Sequence, residues 1–306
     1  MPTIELRETI LECLAEAQSY EENPKSLQTL STITKVSPQN RNLLAQTNGA
    51  IPALIQLSKS SFPNIQILSL SILFNMSLNP NLKPSLADMD IIFYLNSVIL
   101  SPSSTEISKL AASLLCSLAM LDKNKAKFGV AGTVQALVKA ISQPNNPAVH
   151  HLLSTLAELM QFHGNCTVAV WSGAVPVLIQ AAESTDGDDL AGTSLSILGL
   201  LARFEEGLTS LRETDEIVKK MLEILKGKCM LSKEGAAEIL LRLFDDSEGC
   251  LREALRLPEF SSVLADFSVR GSGKAREKAD LLMKKIMEAS YKYNSSIGGD
   301  SMFLQW

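Results

Sequence analysis

The sequence predicts an all-α protein assembled from one repeated helical unit, and three observations predict it. Apolar residues recur at helical spacing along nearly the whole chain: Leu27, Leu30 and Ile33, then Leu70, Leu73 and Met76, then Leu114, Leu115 and Leu118. The pattern returns at Leu152, Leu153, Leu156 and Leu159 and at Leu195, Leu198 and Leu201, while alternating runs of β-branched and aromatic residues are hard to find. Pro63, Pro80, Pro102, Pro144 and Pro147 fall between the periodic runs, as expected of breaks between short helices. Third, the chain resembles itself at a fixed interval.

That interval is carried by a helix-start phrase. GAIPALIQL begins at Gly49, and counterparts follow as DIIFYLNSVIL from Asp90, GTVQALVKAI from Gly132, GAVPVLIQAA from Gly173 and DEIVKKMLEIL from Asp215. A weaker copy, PEFSSVLADF, starts at Pro258, so the steps are 41, 42, 41, 42 and 43 residues. Self-similarity at this period marks a helical solenoid, in which each unit buries its apolar face only against its neighbours.

Each unit divides in the same way. A short helix opens near Asn40-Arg41, Asn81, Asn124-Lys125 or Asn165. The phrase helix follows, and its prolines Pro52 and Pro176 suit a first helical turn, where a missing N–H costs nothing. A longer helix closes the unit after a polar loop such as SKSSFPN or SQPNNP. Residues 1–23 are expected to form a capping helix, residues 24–290 the repeats, and residues 291–306 a flexible tail rich in Gly and Ser. Trp306, at the end of SIGGDSMFLQW, would either fold back on the last repeat or serve as a docking motif, and Trp171 reads as a core or inter-repeat filler.

A three-helix unit with an N-R/K…GAIP-x-L-I-x-L pattern resembles the armadillo repeat. The resemblance is closer to the armadillo region of plant U-box ubiquitin-ligase proteins, carried by LSILGLLARFEEGLTSLRETDEIVKKMLEI and KEGAAEILLRLFDDSEGCLREA. A closing helix at 271–286, GSGKAREKADLLMKKI, matches a recurrent ending through Gly271, Ser272, Lys274, Arg276, Lys278 and Ala279; Glu277 departs from the basic residue usual there. The likeness covers roughly residues 25–290. It implies a right-handed α-solenoid of about six to seven armadillo repeats. It also implies a U-box before the repeats, but residues 1–23 carry no Cys-Pro-Ile-like strand, so recruitment of a conjugating enzyme by this chain alone is not expected.

Composition narrows the function. Among 306 residues, 46% are hydrophobic and only 5% aromatic, which excludes a wholly disordered chain and suits many thin layers of Leu, Ile and Ala. Lys+Arg 28 against Asp+Glu 33 gives −5, split as +1 over residues 1–150 and −6 over the rest, so a nucleic-acid partner is not expected. Five cysteines (Cys13, Cys116, Cys166, Cys229, Cys250), with no C-x-x-C spacing, point to a reduced cytoplasmic or nuclear setting rather than disulfides or zinc. The N-terminus lacks the basic and apolar regions of a signal peptide, and the apolar stretch Leu190–Ala202 is too short to span a membrane.

In the armadillo family the last helix of each unit lines a groove, and peptide-clamping members such as importin-alpha place a Trp there with an Asn one turn on. Aligned on the phrase starts, this chain has Ser31, Ser71, Ser113, Ser154 and Ser196 in the Trp column. The Asn column holds Lys35, Asn75, Ser117, Glu158 and Leu200, so only Asn75 keeps the family residue and capture of basic localisation signals is not expected. The serines either offer a shallow polar groove to a partner or let successive helices pack closely.

Other chemistry is thin. His150 and His151 are adjacent on a helix, about 100° apart, and His163 lies in the next loop, so no metal site is expected. Lys123, Lys125 and Lys127 read as a solvated basic corner, and Glu183, Asp186, Asp188 and Asp189 as an acidic loop in which Asp188 or Asp189 caps the next helix. There is no G-x-S-x-G elbow, H-E-x-x-H or phosphate loop, and GSGKARE lacks the preceding strand and the Ser/Thr after Lys. The expectation is therefore a non-enzymatic adaptor that needs no cofactor and binds an extended or helical segment of a partner protein along its groove. It would take no nucleic acid, membrane or small-molecule substrate. The second reading is a substrate-recognition module of a U-box-type ubiquitin ligase.

Overall fold

The computed structural model describes residues 3–19, 24–183 and 188–298, and the described residues form twenty α-helices and no strand. Backbone contacts divide the chain into two units, residues 1–168 and 169–306. In the first unit, α1 (Thr3–Ser19) and α2 (Lys25–Val36) precede three complete three-helix repeats. These are α3 (Pro38–Gln46), α4 (Ala50–Ser58) and α5 (Pro63–Ser77), then α6 (Lys83–Leu86), α7 (Met89–Leu100) and α8 (Thr105–Ala119), then α9 (Asp122–Val130), α10 (Thr133–Ile141) and α11 (Val149–Leu159). The division falls within α12 (His163–Trp171). The second unit holds α13 (Ala174–Glu183), α14 (Asp188–Leu201), α15 (Glu205–Arg212), α16 (Ile217–Lys226), α17 (Met230–Asp246), α18 (Glu248–Arg256), α19 (Phe260–Arg270) and α20 (Gly273–Gly298).

The phrase glycine is a turn residue. Gly49, Gly132 and Gly173 sit at φ of 76°, 74° and 79°, a left-handed conformation that costs glycine nothing and redirects the chain into the second helix. At the Asp215 copy the same position is filled by Glu216, at φ 54°. At the Asp90 copy the start is made differently, with the Asp88 carboxylate accepting the Asp90 N–H at 3.1 Å.

The recurrent asparagine of the first helix has an equally local cause. A helix ends with unpaired carbonyls. Asn40 Nδ2 donates to Ile33 O at 2.9 Å, Asn124 Nδ2 to Leu118 O at 3.0 Å, and Asn165 Nδ2 to Leu159 O at 3.0 Å. Each therefore closes the end of the third helix that precedes it. Asn165 also reaches Lys125 O at 3.1 Å, and a Cβ on Gly129 would lie 2.2 Å from Asn165 Oδ1, so the small residue admits this bridge.

The third helices stack side by side: α2, α5, α8 and α11 in the first unit, and α14, α17 and α20 in the second. Their buried faces carry the periodic residues expected from sequence, including Leu70, Leu73 and Met76 on α5, Leu114, Leu115 and Leu118 on α8, and Leu195, Leu198 and Leu201 on α14. Burying each such side chain contributes roughly 1.5–3 kcal/mol.

Four expectations are corrected. His163 opens α12 instead of lying in a loop, and Lys125 is buried and paired with Asp122 instead of solvated. Trp171 is 78% exposed, because the packed face of α12 is that of Asn165, Cys166 and Ala169, and Trp171 ends the helix off that face. The expected onset of a flexible tail at residue 291 falls inside α20, which runs to Gly298; helix-favouring Met287, Glu288 and Ala289 carry it on, and Lys292 Nζ meets Glu248 Oε1 at 2.9 Å. Trp306 and Asp186, and the Asp188 side chain, lie outside the described residues. Asp189 is in the first turn of α14, and Glu183 is paired with Lys220 at 2.6 Å.

Candidate functional site

In the first unit, three polar side chains of the two columns, Ser31, Asn75 and Ser117, are buried inside the protein. Ser31 is buried on α2, and Lys35 is exposed in its last turn. Asn75 is buried on α5; its amide donates to Thr34 Oγ1 at 3.1 Å and lies 3.5 Å from Ser31 O. The one family-like asparagine thus ties α5 to α2. Ser117 on α8 is also buried, donating to Ser77 O at 3.1 Å and lying 2.8 Å from the Ser77 hydroxyl. Its own carbonyl accepts from Lys83 Nζ at 2.6 Å. Burial holds Lys83 below the ordinary lysine range, against the opposing pull of Cys116 and Glu158.

The remaining column residues of this unit are more open. Ser71 is half-buried. Ser113 is half-buried too, with its hydroxyl 3.4 Å from His151 Nδ1. Burial, then the charges of Lys109 and His150, keep His151 below the usual histidine range. Ser154 is exposed and donates to His150 O at 2.9 Å within its own helix. Glu158 is half-buried, its Oε2 3.9 Å from Lys125 Nζ, which also pairs with Asp122 at 2.7 Å. Among the described residues, no group of three or more His, Cys, Asp or Glu is arranged to hold a metal ion. No single helix among them is long and apolar enough to cross a membrane.

The second unit has a different character. Ser196 is exposed on α14, donating to Gly192 O at 2.8 Å, and opens onto a hollow of about 250 Å³ between α14, α17 and α20. Glycines shape it. A Cβ on Gly192 would lie 2.7 Å from Leu231 Cδ2, and one on Gly235 would lie 2.8 Å from Leu195 Cβ. These two positions let α14 and α17 approach closely. Gly199 is unlike them: its added Cβ would meet only Glu238 Cγ, at 3.8 Å, so the missing side chain leaves open space. Leu200 and Leu231 supply apolar wall.

The rim is charged and partly cross-linked. Glu238 binds Arg242 at 2.8 Å and Lys278 at 3.2 Å. Burial would raise the Glu238 carboxyl, but hydrogen bonds and charge from Arg242 and Lys278 outweigh it and hold it below the ordinary glutamate range. Lys278 also donates to Glu234 O at 3.0 Å, and Ser272 to Glu234 Oε1 at 2.6 Å. Arg203 is exposed and has no carboxylate within ion-pair range among the described residues. Of the ten residues in the two columns read from sequence, Ser196 and Leu200 line this hollow. Gly199, Arg203, Glu234, Gly235, Glu238 and Lys278 were missed; the signal was glycine inside otherwise strong helix patterns.

A family model described as the plant U-box protein ARM repeat region matches residues 5–304. The chain belongs to this armadillo family.

Among its curated relatives, U-box domain-containing protein 8 of Arabidopsis thaliana is 28% identical over 207 residues, covering 67% of this chain and 54% of that protein. U-box domain-containing protein 1 of Medicago truncatula is 30% identical over 121 residues, 38% of this chain and 17% of that one. The armadillo chain thus spans about half, or less, of these relatives. Among solved structures, an engineered protein aligns with a TM-score of 0.78 at 17% identity, over 91% of this chain and 68% of its own. Computationally designed armadillo repeat proteins for modular peptide recognition align at 0.68 and 16%, over 78% and 99%. Those likenesses establish the fold: an all-α armadillo solenoid.

Proposed function

We propose that this armadillo chain is a non-catalytic adaptor whose second unit docks a segment of a partner protein over the α14–α17–α20 hollow. The observation that carries the reading is Gly199: a helix-interior glycine costs roughly 0.5–1 kcal/mol relative to alanine, no neighbour requires it, and its absent side chain keeps the hollow open. Leu200 and Leu231 would take an apolar side chain, while Arg203 and the Glu234–Glu238–Lys278 rim would meet polar and charged groups beside it. The designed armadillo proteins for modular peptide recognition lend the fold-level analogy.

The test is affinity capture of partners from plant extract with wild type and Gly199→Leu. Leucine projects into the hollow from a Cβ that lies 3.8 Å from its nearest neighbour, Glu238 Cγ, so partners should be lost while the helical circular dichroism and melting temperature hold. Retention of the same partners by Gly199→Leu would move the site elsewhere.

A second reading is favoured by the U-box names of the relatives: the chain would select substrates for a U-box-type ubiquitin ligase. It requires the ligase activity to come from outside this segment. Ubiquitin transfer by the purified chain with E1 and E2 alone would overturn the adaptor reading in either form.

A further inference from the structure

An exposed apolar side chain stands at or just beyond the end of each third helix of the first unit. Val36, Leu78, Met120 and Phe162 are spaced 42 residues apart and are 73%, 47%, 60% and 43% exposed. Val36 ends α2, Leu78 and Met120 directly follow α5 and α8, and Phe162 lies in the turn after α11. Since α2, α5, α8 and α11 stack in order and each three-helix repeat restores the chain direction, these four ends lie along one edge of the unit. Single exposed apolar residues are commonplace; one at the end of each helix in a stacked row is a stripe. At the third-helix ends of the second unit stand half-buried Phe204, after α14, and Asp246, the last residue of α17, so the stripe belongs to the first unit.

Several polar groups of this edge are already committed. The helix-end carbonyls are taken by Asn40, Asn124 and Asn165, with Arg41 Nε donating to Thr34 O at 2.9 Å and Lys83 to Ser117 O. Its acids, Asp122 and Glu158, both face Lys125. Lys35 beside Val36, and Lys123 and Lys127 after Met120, are exposed and have no carboxylate partner among the described residues. In charge, the edge therefore offers free lysines beside its apolar anchors.

We infer that this edge docks an acidic amphipathic helix of a partner protein, with one apolar anchor per repeat. Packed helices lie about 8–10 Å apart. A helix that repeats an apolar residue every seventh position advances about 10.5 Å between anchors and keeps them on one side, drifting about 20° each time. An extended strand covers ~10 Å in three residues, but its third side chain points to the opposite face. Four anchors thus call for a helix of roughly 22 residues. Glutamates flanking the anchors would meet Lys35, Lys123 and Lys127. Three free lysines fall short of the four to eight basic residues of a typical anionic-lipid patch, which favours the protein partner. This site is separate from the hollow over Gly199 and stands or falls without it.

The test uses the full chain and a fluorescein-labelled, Glu-rich peptide of roughly 24 residues with Leu at every seventh position. A control of the same composition places its leucines at alternate positions. In anisotropy titrations the heptad peptide should bind wild type and Gly199→Leu alike. It should bind about tenfold or more weakly to Leu78→Gln/Met120→Gln and to Lys35→Glu/Lys123→Glu. Circular dichroism melts of the surface variants should match wild type; conservative Met120→Leu should retain binding. Failure of the heptad peptide to bind wild type overturns the proposal, as does equal binding of the control or of the glutamine variant. Sedimentation with anionic vesicles that depends on Leu78 and Met120, uncompeted by the peptide, would assign the edge to a membrane and also overturn it.

Discussion

The side-chain amide of Asn75 on α5 donates to the hydroxyl of Thr34 on α2 at 3.1 Å, out of contact with solvent. Asparagine at this register would serve a bound peptide in a clamp-type groove; here it joins two successive repeats. Asn75→Ala should therefore destabilise the protein by about 1–2 kcal/mol, the cost of losing a buried hydrogen bond. Urea unfolding measures it, and captured partners should be unchanged when the variant is assayed well below its melting temperature.

Gly235 and Gly199 make a matched pair. Gly235→Ala places a Cβ 2.8 Å from Leu195 Cβ and should cost about 1–3 kcal/mol as α14 and α17 are pushed apart. Gly199→Ala meets nothing closer than 3.8 Å and should be neutral or stabilising by up to ~1 kcal/mol. Equal thermal shifts for the two would contradict the close approach at Gly235.

Glu216 occupies a left-handed conformation that its counterparts assign to glycine. Glu216→Gly removes a strain of about 1–2 kcal/mol and gives up an exposed pair with Lys219 at 3.1 Å that is worth little. A rise in the urea midpoint is expected.

Glu238 gives a pH signature. Its native carboxyl titrates below its unfolded value, so its contribution is present above the unfolded value near 4.5 and fades as pH falls through the lowered native one. Glu238→Gln should be less stable than wild type at neutral pH, and the difference should close in that acid window. Parallel stability curves across it would contradict the pairing with Arg242 and Lys278.

The repeat was legible because its causes are local. The turn at Gly49, Gly132 and Gly173, the Asn40, Asn124 and Asn165 caps and the apolar faces each act within one unit, so each recurs with the sequence. The site was not. Ser31 is buried while Ser154 and Ser196 are exposed, although sequence places them in one column, because exposure depends on how neighbouring helices pack. The hollow is assembled from Ser196, Gly235 and Lys278 on three helices, and no local pattern links them. Trp171 misled for a related reason: a large aromatic side chain suggests a core, but its position on α12 points away from the packed face.

The most direct test of the adaptor account is photocrosslinking from the hollow itself. With a benzoylphenylalanine at Leu200, plant extract should yield crosslinks to a partner segment, lost when Gly199→Leu is added and kept with Ser154→Arg in the first unit. Crosslinks that persist with Gly199→Leu, or that form from a probe at exposed Val130 but not from Leu200, would contradict it.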